Sequence, residues 1–173
     1  MRIAFITPDV FVAQRGHREP LTPVPMAAPA VSGYLAGAGV TDIRHYDFEA
    51  AAVAMAVRCP GSLSLSPLRD DDAVDRYVQA ADPAAAAPAI HAQLDPLAEL
   101  MGVTAADVFG LSCSLAQDEQ GAREWTLNLC LAFAAWLKAR FPQAIIVLGG
   151  LRAPLKTDSD VIAGYERAFQ RCP

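Results

Sequence analysis

The chain has 173 residues, 53% of them hydrophobic, enough for one well-cored domain and not comfortably for two. Its net charge is −5 at pH 7, and its Lys and Arg residues form no cluster, which argues against a nucleic-acid surface. No run reaches the roughly 18 apolar residues of a membrane span, and no membrane partner is expected.

The start, "MRIAFITPDV", carries one basic residue before Pro8 and Asp9, so it reads as a strand from about Arg2 to Thr7 rather than a signal peptide. A Pro-rich polar segment follows. "MAAPAVSGYLAGAG" then reads as a helix stopped by Gly39, and "DIRHYDF" alternates as a half-buried strand does. From about 49 to 101 the sequence predicts a helical, turn-rich insertion. It holds the apolar run "AAAVAMAV", the turn-rich "CPGSLSLSP", and two candidate helices, "DDAVDRYVQAA" and "PAAAAPAIHAQLDPLAELMG". "DVFGLSCS" is a third strand. "DEQGAREWTLNLCLAFAAWLKARF" is a long helix ended by Pro142, "AIIVLGG" a fourth strand, and "SDVIAGYERAFQR" a final helix capped by Asp158 or Ser159. Cys59, Cys113, Cys130 and Cys172 are widely spaced with no CxxC pair, so thiols in a reducing, cytoplasmic compartment are expected.

Strands separated by helices predict right-handed βαβ units and a parallel sheet, with the two most apolar strands, the third and fourth, at its centre. Ligands of such sheets sit outside the carboxyl ends of the strands, where the strand order reverses. The residues to watch are therefore Thr7, Pro8 and Val10 after the first strand, Ser112, Cys113, Ser114 and Leu115 after the third, and Gly149, Gly150 and Leu151 after the fourth. Taken alone, each group has two readings. The glycines form either a tight turn or a close approach to a ligand, and Ser114 either caps the next helix or bonds a ligand edge. Their coincidence on one sheet edge favours the ligand.

The order of these segments resembles the N-terminal cobalamin-binding domain of cobalamin-dependent radical S-adenosylmethionine enzymes. The residues that carry the likeness are the Pro-rich helix start with "GYLA", the strand "IRHYDFE" ending on acid, "ADVFGLSCS", the helix end "LKARFPQA" and "IIVLGG". They cover Met1 to about Arg152, apart from the insertion. The resemblance implies a flavodoxin-like or Rossmann-like α/β fold over 1–173, an open parallel sheet of four to five strands with helices on both faces. It also implies a cobalamin cofactor at Thr7, Pro8, Val10, Ser112, Cys113, Ser114, Leu115, Gly149, Gly150 and Leu151. The implied partner is a radical S-adenosylmethionine catalytic domain, in cis or in trans, with methyl transfer as the reaction.

Two departures shape that reading. The D-x-H-x-x-G motif of histidine-ligating cobalamin domains is absent, and none of His17, His45 and His91 fits it, so cobalt is expected without a protein histidine. The C-x-x-x-C-x-x-C loop of radical enzymes is also absent. The chain is therefore not expected to be catalytic alone, and the iron-sulfur cluster and S-adenosylmethionine would belong to a downstream domain of a longer enzyme. The resemblance leads one to expect a fifth strand after the final helix.

Other features have plainer readings. "RDDDAVD" is a solvated helix N-terminus before it is a metal site, Asp107 a turn residue, and Cys113 a buried thiol before a reactive one. Trp125 and Trp136 share a core-facing side of the long helix. Asp47 could accept a ribose hydroxyl, but no G-x-G-x-x-G or G-x-x-x-x-G-K-[ST] supplies a phosphate cradle. The alternatives to cobalamin are another small ligand, a flavin or nucleotide, and a ligand-free interaction module.

Overall fold

The computed structural model describes residues 1–7, 27–64, 66–112, 120–149 and 170. In chain order these form β1 (Arg2–Thr7), α1 (Ala27–Gly37), β2 (Asp42–Asp47), α2 (Phe48–Arg58), a 3-10 turn (Ser66–Arg69), α3 (Asp71–Gln79), α4 (Pro83–Ala86), α5 (Pro88–Met101), β3 (Val108–Ser112), α6 (Gln120–Arg140) and β4 (Ile145–Gly149). The four strands make an all-parallel sheet in the order β2-β1-β3-β4. This is the open α/β sheet of flavodoxin-like and Rossmann-like domains. The final helix expected over 159–171 lies outside the described residues except for Gln170, which is helical.

Two expectations need correction. β4, expected at the centre, is an edge of the described sheet, and the central strands are β1 and β3. Hydrophobicity misled here because Ile145 and Val147, apolar as core residues are, lie exposed on β4. The helix expected over 83–102 is two helices that meet at Ala87. Pro88 disfavours helical backbone at the residue before it and suits the first turn of a new helix; Ala87 accordingly takes φ −143° and ψ 74°. Gly102, left-handed at φ 66°, closes α5 by donating to the carbonyls of Ala98 and Glu99.

The strands' alternation gives the sheet two unlike faces. Ala4, Ile6, Tyr46, Phe109 and Leu111 point to one, where the helices from the insertion and α6 cover them. The core of that layer is aromatic and leucine-rich: Phe48 meets Phe133 edge-on at 5.7 Å, and Phe133 packs 6.0 Å from Trp136. Polar side chains pin the layer together. The Trp136 indole donates to Asp95 at 3.1 Å, and the buried Asn128 amide donates to the Leu68 carbonyl at 3.0 Å and to Asp71 at 2.6 Å. Between α3 and α5, the Tyr77 hydroxyl lies 3.0 Å from His91 Nδ1, and burial, with the charge of Asp95, pushes its pKa up, so it keeps its proton.

The other face carries α1 and the alternate residues Ile3, Phe5, His45, Gly110, Ser112, Ile145, Val147 and Gly149. The Ser32 hydroxyl on α1, 2.8 Å from His45 Nε2, fixes the side on which α1 lies. Among the described residues this face is thinly covered: Ile145 is 62% exposed, Val147 50% and Tyr34 on α1 79%.

Candidate functional site

The register brings three of the expected residues to one level. Ile6 pairs with Leu111, so the next residues, Thr7 and Ser112, end β1 and β3 side by side. Ser112 pairs in turn with Gly149 of β4, and Thr7 with Asp47 of β2. The carboxyl edge therefore reads Asp47, Thr7, Ser112, Gly149 across the four strands. The chain steps from β1 outward to β2 on one side and from β3 outward to β4 on the other. The order reverses between β1 and β3, where Thr7 and Ser112 stand.

The side chains of this row are short. Thr7, Ser112 and Gly149 are each half-buried. Gly149 does not have a positive φ; the described glycines that do are Gly39, Gly61 and Gly102. A Cβ built on Gly149 meets nothing within 4 Å. Among the described residues neither backbone strain nor packing requires glycine at 149, and Gly150, the second residue of the tight-turn reading, lies outside them. Open space beside a bare backbone at a strand's carboxyl end suits the close approach of a flat group. Pro8, Val10, Cys113, Ser114, Leu115, Gly150 and Leu151 lie outside the described residues, as do His17 and the side chain of Trp125.

Asp47 has a different job from the ribose contact weighed for it. Its Oδ1 accepts the Ala50 N–H at 2.9 Å and caps α2. Asp70 caps α3 in the same way through Ala73 at 3.0 Å, which is the plain reading of "RDDDAVD", and no metal-holding cluster occurs among the described residues. Asp107 accepts the Arg2 backbone N–H at 2.7 Å and so ties β3 to β1 at the amino edge, opposite the site. His45 and His91 are both engaged, with Ser32 and Tyr77 respectively, and neither stands in the carboxyl-edge row. Trp136 is buried in the core as its spacing predicts.

A separate groove of about 800 Å³ opens on the helical side beside β4, lined by residues such as Val78, Leu131, Ala134, Ile146 and Leu148. Its one charged lining residue, Lys138, donates to the Ala144 carbonyl at 3.0 Å. Its lining is mostly apolar, with Gln79 and Gln143 beside Lys138 as its polar side chains among the described residues.

Sequence reasoning missed one constellation. Phe5 lies across Gly110, where a Cβ would come within 2.8 Å of the Phe5 ring, and it stacks on His45 with centroids 5.5 Å apart and planes 25° apart. The available signal was the glycine inside the apolar run "VFGLS", since an isolated strand glycine marks close approach of another group.

None of the protein-family profiles, curated proteins or solved structures compared with this chain matches it. What stands on sequence and structure together is an open, parallel, flavodoxin-like α/β sheet with short side chains gathered at its switch point.

Proposed function

We propose that the chain is a cofactor-binding module that holds cobalamin over the carboxyl edge of its sheet and serves a radical S-adenosylmethionine methyltransferase domain, in cis or in trans. The observation that carries the reading is the row Thr7, Ser112, Gly149 at the β1/β3 switch point, with open space beside Gly149. A large planar ligand needs an edge without bulky side chains, and this row has none.

The residues described fit the group in two respects. Thr7 and Ser112 offer hydroxyls to its polar rim, and Gly149 lets it approach the backbone. When bound, methylcobalamin would supply the methyl group for transfer; the chain's own part is to bind it, orient it and shield one of its faces. The nucleotide and flavin alternative lacks a glycine-rich phosphate loop after β1.

The test is a titration of the purified protein with hydroxocobalamin and methylcobalamin, followed by desalting and visible absorbance. Stoichiometric retention, with spectra lacking a histidine-ligated signature, is the expected result. Failure to retain either cobalamin, with flavin or nucleotide retained instead, overturns the reading.

A further inference from the structure

The groove beside β4 has two walls. α6 gives Leu131, Ala134 and Ala135, and β4 gives Ile146 and Leu148. Both alanines and both β4 residues are only half-buried, so the described residues leave much of this apolar surface uncovered. The alanines keep the α6 wall low, and low side chains let a second helix come close.

The chain that leaves Gly149 carries a matching surface in its sequence. "SDVIAGYERAFQR" predicts a helix over 159–171, and Gln170, its one described residue, is helical. At helical spacing Val161, Ile162, Tyr165, Ala168 and Phe169 fall within an arc of about 120°. Asp160, Glu166, Arg167, Gln170 and Arg171 fall outside that arc, and Gln170 is exposed, as the polar side requires. A helix this short is marginal in water by itself, so its apolar stripe needs a surface to pack on.

The dimensions agree. From Val161 to Phe169 the stripe runs about 12 Å along the helix axis, and the α6 wall, from Cys130 to Ala139, about 14 Å. The stretch 150–160 that joins Gly149 to Val161 is long enough to turn over either side of β4, so the surface decides. The groove meets a wide stripe on two walls, α6 and β4. On the other side of β4, Ile145 and Val147 offer one wall only, the sheet itself.

We propose that the segment 159–171 packs its apolar stripe into the groove between α6 and β4 and completes the helical layer at the β4 edge. This holds whatever ligand the carboxyl edge takes.

The experiment is hydrogen–deuterium exchange of the full chain, read by mass spectrometry. Peptides over 161–169 are expected to exchange at least about tenfold more slowly than a free peptide of the same sequence, since protection there requires docking. Ala135→Glu puts a carboxylate into the α6 wall, and is expected to bring that stretch within about threefold of the free peptide while β1 keeps its protection. Ala135→Gln adds no charge and should remove part of the protection, which keeps the test valid should Ala135→Glu fold poorly. Val147→Glu, on the opposite face of β4, is expected to leave the segment protected. An unprotected segment in the wild type overturns the proposal. So does protection that survives both Ala135 variants, or that Val147→Glu removes to the same extent. Protection lost on dilution, together with a dimer by size-exclusion chromatography, assigns the groove to a second copy and overturns it too.

Discussion

The two faces of the sheet are built on different terms. On the helical side, Ile6, Phe109 and Leu111 meet Phe48, Leu94, Leu129 and Phe133, all essentially without solvent contact. On the α1 side, equivalent positions of the same strands carry Phe5, Gly110, Ser112 and Gly149, and Ile145 and Val147 face outward. Among the described residues, then, the helical side is the better covered of the two. A parallel sheet ordinarily has both faces covered, and of the described helices only α1 lies on the second face.

The largest effect that would sharpen the contrast lies in the helical layer. Phe133→Ala removes a ring packed against Phe48 and Trp136, and should cost about 3–5 kcal/mol of unfolding free energy in a urea titration. A loss below about 1 kcal/mol would mean that this layer is not the stabilising one. Next is Gly110→Ala on the other face. Its Cβ would lie 2.8 Å from the Phe5 ring, and the overpacking should cost about 1–3 kcal/mol. The double variant Gly110→Ala with Phe5→Leu should recover a large part of that loss, because the smaller side chain vacates the space. Additive losses in the cycle would show that the ring and the glycine do not share the site.

These positions also show what the sequence discloses and why. The strands were legible because β-branched and apolar runs such as "RIAFIT" and "IIVLG" form them, and β1 has the predicted bounds, Arg2 to Thr7. The level row of Thr7, Ser112 and Gly149 followed from strand ends and the switch-point rule. The break at Ala87 was readable in principle from Pro88 but was overridden by a long apolar, Ala-rich pattern. β4's place at the edge of the described sheet was not readable, because an apolar strand looks the same at the centre of a sheet and beside an open groove. The Phe5–Gly110–His45 arrangement was hidden for a different reason: it joins three strands, and only the register β2-β1-β3 brings residues 5, 45 and 110 together.

A smaller effect separates the sheet's two ends. The amino edge is closed by Asp107, whose carboxyl is held below the usual carboxylate range, first by the Arg2 backbone N–H and then by the Arg2 guanidinium and the N-terminal ammonium. A carboxylate with a lowered folded pKa contributes stability above its unfolded value of about 3.9 and loses it as the pH falls through the folded value. The wild type should therefore exceed Asp107→Asn in unfolding midpoint by a constant margin above about pH 5, and the margin should shrink as the pH falls towards 2. A margin that does not narrow on acidification would remove the ionised carboxylate from the account of that edge.

The smallest effect is the most telling about the open face. Ile145 has the side chain of a core residue and the exposure of a surface one, 62%. Ile145→Thr keeps the β-branched shape that favours the strand while removing apolar area that the fold scarcely buries. If the face is as open as its exposure indicates, the change should stay within about 0.5 kcal/mol, as surface substitutions do. The neighbouring Ile146, one residue on and pointing to the helical side, gives the internal control. It packs against the core, so Ile146→Thr should cost more than Ile145→Thr. Equal costs at 145 and 146 would mean that β4 is packed alike on both faces.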